Sequence, residues 1–295
     1  QVKHTLTILI IILFSNLTKA QNPDYKKQWD QVEKLEVEGL PKSALKIVET
    51  ISKQAKKDKN NPQLIKTLLF KSKFALVLEE DAQLKIINDF KSEIELSTFP
   101  TKNILENVLA NLYWQYFNQN RYKFYNRTKV TEALEVTDDS ISRTSPKDFR
   151  SWDLQTLFNE IHHYYQKSLK NGLMLQLEPL SNYAVLLNEQ KDSKIYRPTL
   201  FDFLSYNALE FYKTNETHIT KPAYKFEIDN PGFLSDAETF STLNIASKDS
   251  TSLQLNALKI YQNLIQFHLK DESPFALSDV NIERLKFVNQ HATFS

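Results

Sequence analysis

Scarcity of glycine constrains the fold of this chain more than any other feature. The 295 residues contain three glycines, Gly39, Gly172 and Gly232, where average usage of about 7% would give roughly 20. Tight β-turns need glycine for positive φ, and Rossmann and P-loop phosphate sites need several glycines for close backbone approach. Helical hairpins need few. The composition therefore predicts an all-α chain and argues against both nucleotide-binding sites.

The first 20 residues have the three-part pattern of a cleavable export signal. Lys3 and His4 form a short basic start, and residues 6–14 are almost entirely apolar. Small residues then lead to a predicted cleavage between Ala20 and Gln21. The apolar run is shorter than the about 20 residues that a membrane-spanning helix needs. We therefore expect export to the periplasm, the cell surface or the medium, with membrane contact only through the cleaved signal.

Charge and cysteine content narrow the range of functions. The formal net charge is +1, and loss of Lys3 and Lys19 with the signal lowers it to −1. A nearly neutral chain lacks the broad positive field that attracts nucleic acid or an anionic membrane. The sequence contains no cysteine, which rules out disulfides, thiol nucleophiles and thiolate metal sites within it.

Apolar residues recur at three- and four-residue spacing over residues 25–117, which predicts five helices joined by short turns. Antiparallel hairpins of such helices form stacked repeats. Gly39 followed five residues later by Ala44 matches the turn and second-helix start of a tetratricopeptide unit, but the next helix pair lacks small residues at that register. A tetratricopeptide-like repeat and an irregular helical bundle therefore both stay open.

The remainder of the chain predicts a second helical lobe. Residues 127–151 are polar with little periodicity and predict a loop or linker. Residues 214–248 predict a long irregular connection, with a short strand at 223–228. The expected organisation is a signal peptide at 1–20, an N-terminal helical-hairpin lobe at 21–126, a linker at 127–151 and a second helical lobe at 152–295. We expect the chain to be truncated at both ends.

Few residues offer catalytic or metal-binding chemistry. His162 and His163 are adjacent, so on a helix their side chains point about 100° apart and cannot share a metal. We expect one of them to pack beside Tyr164 or Tyr165 and the other to be solvated. The acidic clusters at 79–81 and 138–139 lack the spacing and the central glycine of a calcium loop. We predict no catalytic, cofactor-binding or metal site, and no enzyme.

The aromatic stretch over residues 113–125 is the most distinctive local pattern. Its aromatic side chains alternate with Arg121 and Lys123, an arrangement that could stack on bases or sugars. On a helix, however, Tyr113, Tyr116 and Phe117 share a face with the leucines that precede them. We expect core packing, with a protein-contact face as the alternative.

Three stretches together resemble the N-terminal region of the large alpha-2-macroglobulin-like proteins of Bacteroidetes-type bacteria. They are residues 39–45 with 61–66, residues 112–116 with 120–123, and residues 197–204 continuing through 208–212 to 219–224.

Members of this superfamily trap proteases with a bait segment and often with a reactive thioester, carried among many sandwich domains. The resemblance therefore implies a non-catalytic helical leader of an exported protease-trapping protein, an endopeptidase inhibitor. The bait and thioester regions are not present in these residues, and no functional residue can be transferred. The alternative is a free-standing tetratricopeptide-like envelope module that binds another protein. Either way we expect the partner to be a protein or downstream domains of the same polypeptide.

Overall fold

Helices form nearly all of the regular structure in residues 24–125 and 148–294, the ranges that the computed structural model describes in full. The backbone is also described for strands β1 (Ala133–Thr137) and β2 (Ser140–Thr144), which pair as an antiparallel hairpin where the sequence predicted a loop. The all-α prediction is confirmed. Two compact units are present, one within residues 1–80 and one within residues 81–295.

The first unit has three helices, and each begins at a recognisable signal. They are α1 (Tyr25–Val37), α2 (Pro41–Asp58) and α3 (Asn61–Leu78). Asp24 and Asn60 accept hydrogen bonds from backbone amides in the first turns of α1 and α3, which satisfies groups that a helix start leaves unpaired. Pro41 occupies the first position of α2, where its missing N–H is not needed.

The core of the first unit lies between these helices and follows the predicted apolar stripe. Trp29, Val32, Ala44, Val48, Ile51 and Phe74 are all buried in one cluster. The Trp29 indole donates to Gln63 Oε1 at 2.7 Å, a buried bond between α1 and α3. This arrangement is compatible with both a repeat and a bundle.

The second unit is a larger helical assembly. Its helices are α4 (Ala82–Leu96), α5 (Thr101–Tyr125), α6 (Leu154–Ser168), α7 (Gly172–Gln176), α8 (Ser193–Tyr196), α9 (Leu200–Tyr212), α10 (Ala237–Thr242), α11 (Leu253–His268) and α12 (Phe275–His291). Short 3₁₀ helices cover Phe149–Ser151, Leu180–Leu186 and Pro231–Leu234. Helix α5 packs against α4, α6 and α9, and α9 packs in turn against α7 and α11.

The division into units differs from the predicted one. Residues 81–125 were assigned to the N-terminal lobe, but they lie in the second unit because α5 packs along α6 and α9. The predicted boundary at 127–151 therefore follows a helix that already belongs to the second unit. None of the described helices combines the length and the apolar character that crossing a bilayer requires.

The predicted strand at 223–228 is wrong. Within residues 214–248 the chain is irregular except for the 3₁₀ turn and α10, and Ile228 makes only an isolated parallel bridge with Ala292. Thr293 N donates to the Ile228 carbonyl at 2.9 Å. The apolar character of Ile228, which is fully buried, thus reflects packing near the end of the chain.

Gly39 ends α1 and provides the first stability prediction. It has φ +72°, and the Gly39 and Leu40 amides donate to the Glu36 and Leu35 carbonyls, which is the Schellman pattern. Gly39→Ala is expected to lower the free energy of unfolding by about 1 kcal/mol, because a β-carbon disfavours this left-handed conformation. Urea denaturation followed by circular dichroism measures the loss.

Lys59→Gly is the matched control. Lys59 has φ +54° just after α2, and glycine occupies that region without strain, so this variant is expected to lose no stability. Equal destabilisation by the two substitutions would contradict the assignment.

Candidate functional site

The adjacent histidines do not form a site. His162 is partly buried and its Nδ1 lies 2.9 Å from the Tyr212 hydroxyl. His163 is exposed, with its ring 5.3 Å from that of Tyr164. The predicted separation into one packed and one solvated histidine is confirmed, but the packed one contacts Tyr212 and the solvated one touches Tyr164. Burial lowers the pKa of the His162 imidazole, and partial desolvation with the nearby Lys167 charge lowers that of His163.

The acidic cluster at 79–81 is a helix junction. It lies between α3 and α4, and Asp81 Oδ1 accepts from Arg150 Nη1 at 2.7 Å. The second cluster, at 138–139, lies outside the described residues, as do Ala20 and Gln21 of the predicted cleavage site. Within the described ranges, no group of three or more histidine and acidic side chains is arranged to hold a metal ion.

The aromatic stretch packs into the core, as expected. Tyr113 and Phe117 are fully buried on α5, and Phe117 meets Phe158 of α6 edge-on at 5.0 Å. Tyr122, at 85% exposed, is the exception.

One lysine lies among these aromatic rings. The Lys91 ammonium lies 5.8 Å from the ring centroids of Tyr113 and Trp152 and 6.0 Å from that of Tyr164. It also pairs with Glu160 at 3.2 Å. The cation–π contact with Tyr164 and the ion pair with Glu160 link Lys91 of α4 to side chains of α6.

A buried ionic cluster joins the start of α9 to the end of α11. His268 Nε2 lies 2.7 Å from Asp202 Oδ1, and Nδ1 lies 2.7 Å from Asp271 Oδ2. The other Asp202 oxygen accepts from the Thr199 amide and hydroxyl, which closes the capping box of α9. Burial opposes the charge on His268, but hydrogen bonds and charges from both aspartates outweigh it and raise the pKa of the imidazole. Since His268 and Asp202 are both shielded from solvent, the cluster is structural.

A small polar cavity lies between α6 and the irregular segment after α9. Its volume is about 80 Å³, room for a few water molecules. One lining residue, His162, lies with Nδ1 2.9 Å from the Tyr212 hydroxyl, which also accepts from Gln166 Nε2. Glu216, on another wall, accepts from the His218 amide and the Tyr125 hydroxyl. Despite burial, these bonds lower the pKa of Glu216.

Exposed apolar side chains cluster on α7 and at Leu177, the residue that follows it. Leu173 is 76% exposed, Met174 51% and Leu177 81%; these three residues are the α7 patch. Leu175, between them, is fully buried and anchors the helix. The sequence reasoning missed this surface. Its signal was the apolar run at 173–175 and Leu177, directly after the Asn171-Gly172 turn.

Several contacts fix the position of α7. Asn103 Nδ2, on α5, donates to the carbonyls of Ser168 and Lys170 at 3.0 Å. These bonds fix the direction in which the backbone continues after α6. Asn171 then adopts φ +61° and turns the chain into α7. Gly172 lies against the Phe201 ring, where a β-carbon would come within 3.4 Å. The short helix is therefore held by its neighbours.

Beside the patch, a groove of about 330 Å³ opens between α7, α9 and α11. We define the α7 groove by six of its lining residues, Leu169, Leu173, Phe201, Ser205, Ile260 and Phe267. Three of them form a buried floor, namely Phe201, Ser205 and Ile260. Lys270 and Asn263 are exposed at the rim. A buried floor under an exposed apolar edge is the form of a contact site for another molecule.

The His268 cluster predicts a pH dependence of stability. Because the folded pKa lies above the unfolded value of about 6.5, the cluster stabilises fully below that pH and its contribution is lost as pH rises through the folded pKa. His268→Gln is expected to remove this component. Urea unfolding of both proteins at a series of pH values between about 5 and 9 measures the difference between their free energies of unfolding. The other histidines are the same in both proteins, so their contributions cancel in this difference. Parallel stability curves would contradict the assignment.

Comparison with known proteins gives no match: no protein-family model, no curated protein and no solved structure is similar to this chain.

Proposed function

We propose that this chain is a non-catalytic helical domain of an exported, alpha-2-macroglobulin-like protease-trapping protein, and that it acts by contacting protein through the α7 patch and groove. The observation that carries the contact role is the exposure of Leu173, Met174 and Leu177 next to the groove. The partner is another protein or a downstream domain of the same polypeptide.

The free-energy cost of leaving apolar surface in contact with water argues that the α7 patch contacts another molecule. Single exposed apolar residues are common and need no explanation. Two on α7 and a third directly after it, beside a groove, form a clustered apolar surface, and such surfaces mark interaction sites. Met174 is the single methionine of the chain, and its flexible thioether adapts to different apolar partners. Burial of this surface contributes roughly 25 cal/mol per Å² removed from water.

The family part of the proposal has separate support. The three sequence stretches that resemble alpha-2-macroglobulin-like proteins include residues 197–204 and 208–212, which contain the capping box and most of α9. That helix contributes Phe201 and Ser205 to the floor of the α7 groove. The export signal agrees with a protein that meets proteases outside the cytoplasm.

A free-standing tetratricopeptide-like envelope module is the second candidate. It is favoured by Ala44, which is fully buried in α2 after the Gly39 turn. A tetratricopeptide unit has a small residue at this position because its two helices pack closely there. The coding sequence after Ser295 discriminates the two: the first proposal expects β-sandwich domains there, and an early stop codon favours the second.

Export predicts a defined mature terminus. Expressed with its own leader in a bacterial host, the protein is expected to begin at Gln21, because peptidase cleaves after small residues such as Ala20. N-terminal sequencing of the extracytoplasmic fraction measures this. Ala20→Arg is expected to retain the leader, and an uncleaved wild-type chain in the cytoplasm would contradict export.

The α7 patch predicts a local cross-link. A photo-cross-linking amino acid at Leu177, in the full gene product expressed in its own cell, is expected to join another protein or a segment beyond residue 295. The same amino acid at Leu96, which is 80% exposed on α4, is the matched control and is expected to give no such product. Mass spectrometry identifies the cross-linked peptide. Equal products at both positions would contradict a contact specific to α7.

A further inference from the structure

We propose that the α7 patch binds an acidic, amphipathic segment of the partner protein, one that carries carboxylates beside its large apolar side chains. The inference rests on the proposed protein-contact role and specifies the chemistry of the partner at the same surface. It comes from four lysine side chains that lie beside the patch and have no carboxylate partner among the described residues. We call them the patch lysines; they are Lys102, Lys167, Lys170 and Lys270.

Three of the patch lysines lie where α5 and α6 meet the start of α7. Lys170 directly precedes the turn into α7, and its carbonyl accepts from Asn103 Nδ2 at 3.0 Å, which brings the neighbouring Lys102 to the same place. Lys167 lies in the last turn of α6. The charges of all three act on the buried carboxyl of Glu106. They are therefore close enough together to form a common positive field.

Carboxylates near the patch lysines do not pair with them. Lys270, the fourth patch lysine, is exposed at the rim of the α7 groove. Of the two acidic residues that follow it, Asp271 is bound to His268 at 2.7 Å, and Glu272 forms no ion pair with a described residue. Burial raises the pKa of Glu106 against the lysine charges. Cations without partners beside an apolar surface are complementary to carboxylates beside apolar side chains.

A protein segment fits this surface better than an anionic bilayer does. Lysines beside exposed apolar residues also bind anionic lipid headgroups. A bilayer is flat, however, whereas the α7 groove beside the patch is recessed, with Phe201 and Ile260 buried in its floor. Side chains of a protein segment can enter such a recess. Glu178, directly after Leu177, gives the contact a direction: its charge repels carboxylates, so those of the partner are expected on the side of the patch lysines.

Charge reversal tests the inference through the Leu177 cross-link. In the full gene product, Lys102→Glu combined with Lys170→Glu is expected to lower the yield of that cross-link about tenfold, because each exposed ion pair changes affinity by up to about fivefold and reversal adds repulsion. Lys53→Glu combined with Lys56→Glu, at exposed positions of α2, makes the same change in charge and is expected to leave the yield unchanged.

The cross-linked peptide permits a charge swap. Mass spectrometry of the Leu177 product is expected to identify a segment with Asp or Glu beside large apolar side chains. Replacement of those carboxylates by lysine is expected to lower the cross-link to the wild-type chain and to restore it to the Lys102→Glu, Lys170→Glu variant, since opposite charges again face each other. A variant that had merely lost its fold would not be restored in this way.

Three results would overturn the inference while the wild-type chain still gives a protein cross-link at Leu177. They are an unchanged yield in the Lys102→Glu, Lys170→Glu variant, an equal fall in the α2 control, and a cross-linked segment without carboxylates. Each of them keeps the contact role and rejects the acidic partner. A wild-type chain that cross-links only to lipid at Leu177, or to nothing, rejects the contact role itself and this inference with it.

Discussion

The side-chain amide of Asn107 lies where α5, α6 and α9 meet, and the arrangement of the second unit depends on it. Its Nδ2 donates to Ser168 Oγ at 3.1 Å and to the Leu204 carbonyl at 3.0 Å. One turn earlier Asn103 bonds the carbonyls that end α6. Buried carbonyls at helix ends are costly when unpaired, so these two amides fix how the chain leaves α6. The position of α7, and with it the groove, follows from that direction.

Hydrogen bonds from buried side chains to backbone carbonyls also order the irregular segment between α9 and α11. A chain with few glycines cannot turn tightly and repeatedly, so side chains of neighbouring helices satisfy the backbone instead. Arg284, fully buried on α12, donates to the Phe233 and Ser235 carbonyls. Gln262, on α11, donates to those of Phe240 and Leu243. The loop is therefore held by long polar side chains rather than by a strand pairing.

Local signals made most of the fold predictable. Apolar stripes located the long helices, and the caps at Asn60 and Thr199 are visible in the sequence because a capping residue lies beside the amides that it satisfies. The groove was not predictable by this means. Ser205 has the sequence context of any helical serine, and His268 meets Asp202 across 66 positions. Contacts of that separation depend on packing angles that periodicity does not contain.

The exposed apolar side chains of the α7 patch are informative because the fold does not require apolar residues at these positions. A helix of five residues is too short to be stable alone, and here the buried Leu175 and the contacts at its start hold it in place. Polar residues at Leu173, Met174 and Leu177 would leave those contacts unchanged and would interact better with water. Much of the apolar surface of these three side chains stays in contact with water, so it adds little to the folding of the unit, and a surface that covered it would remove that area from water.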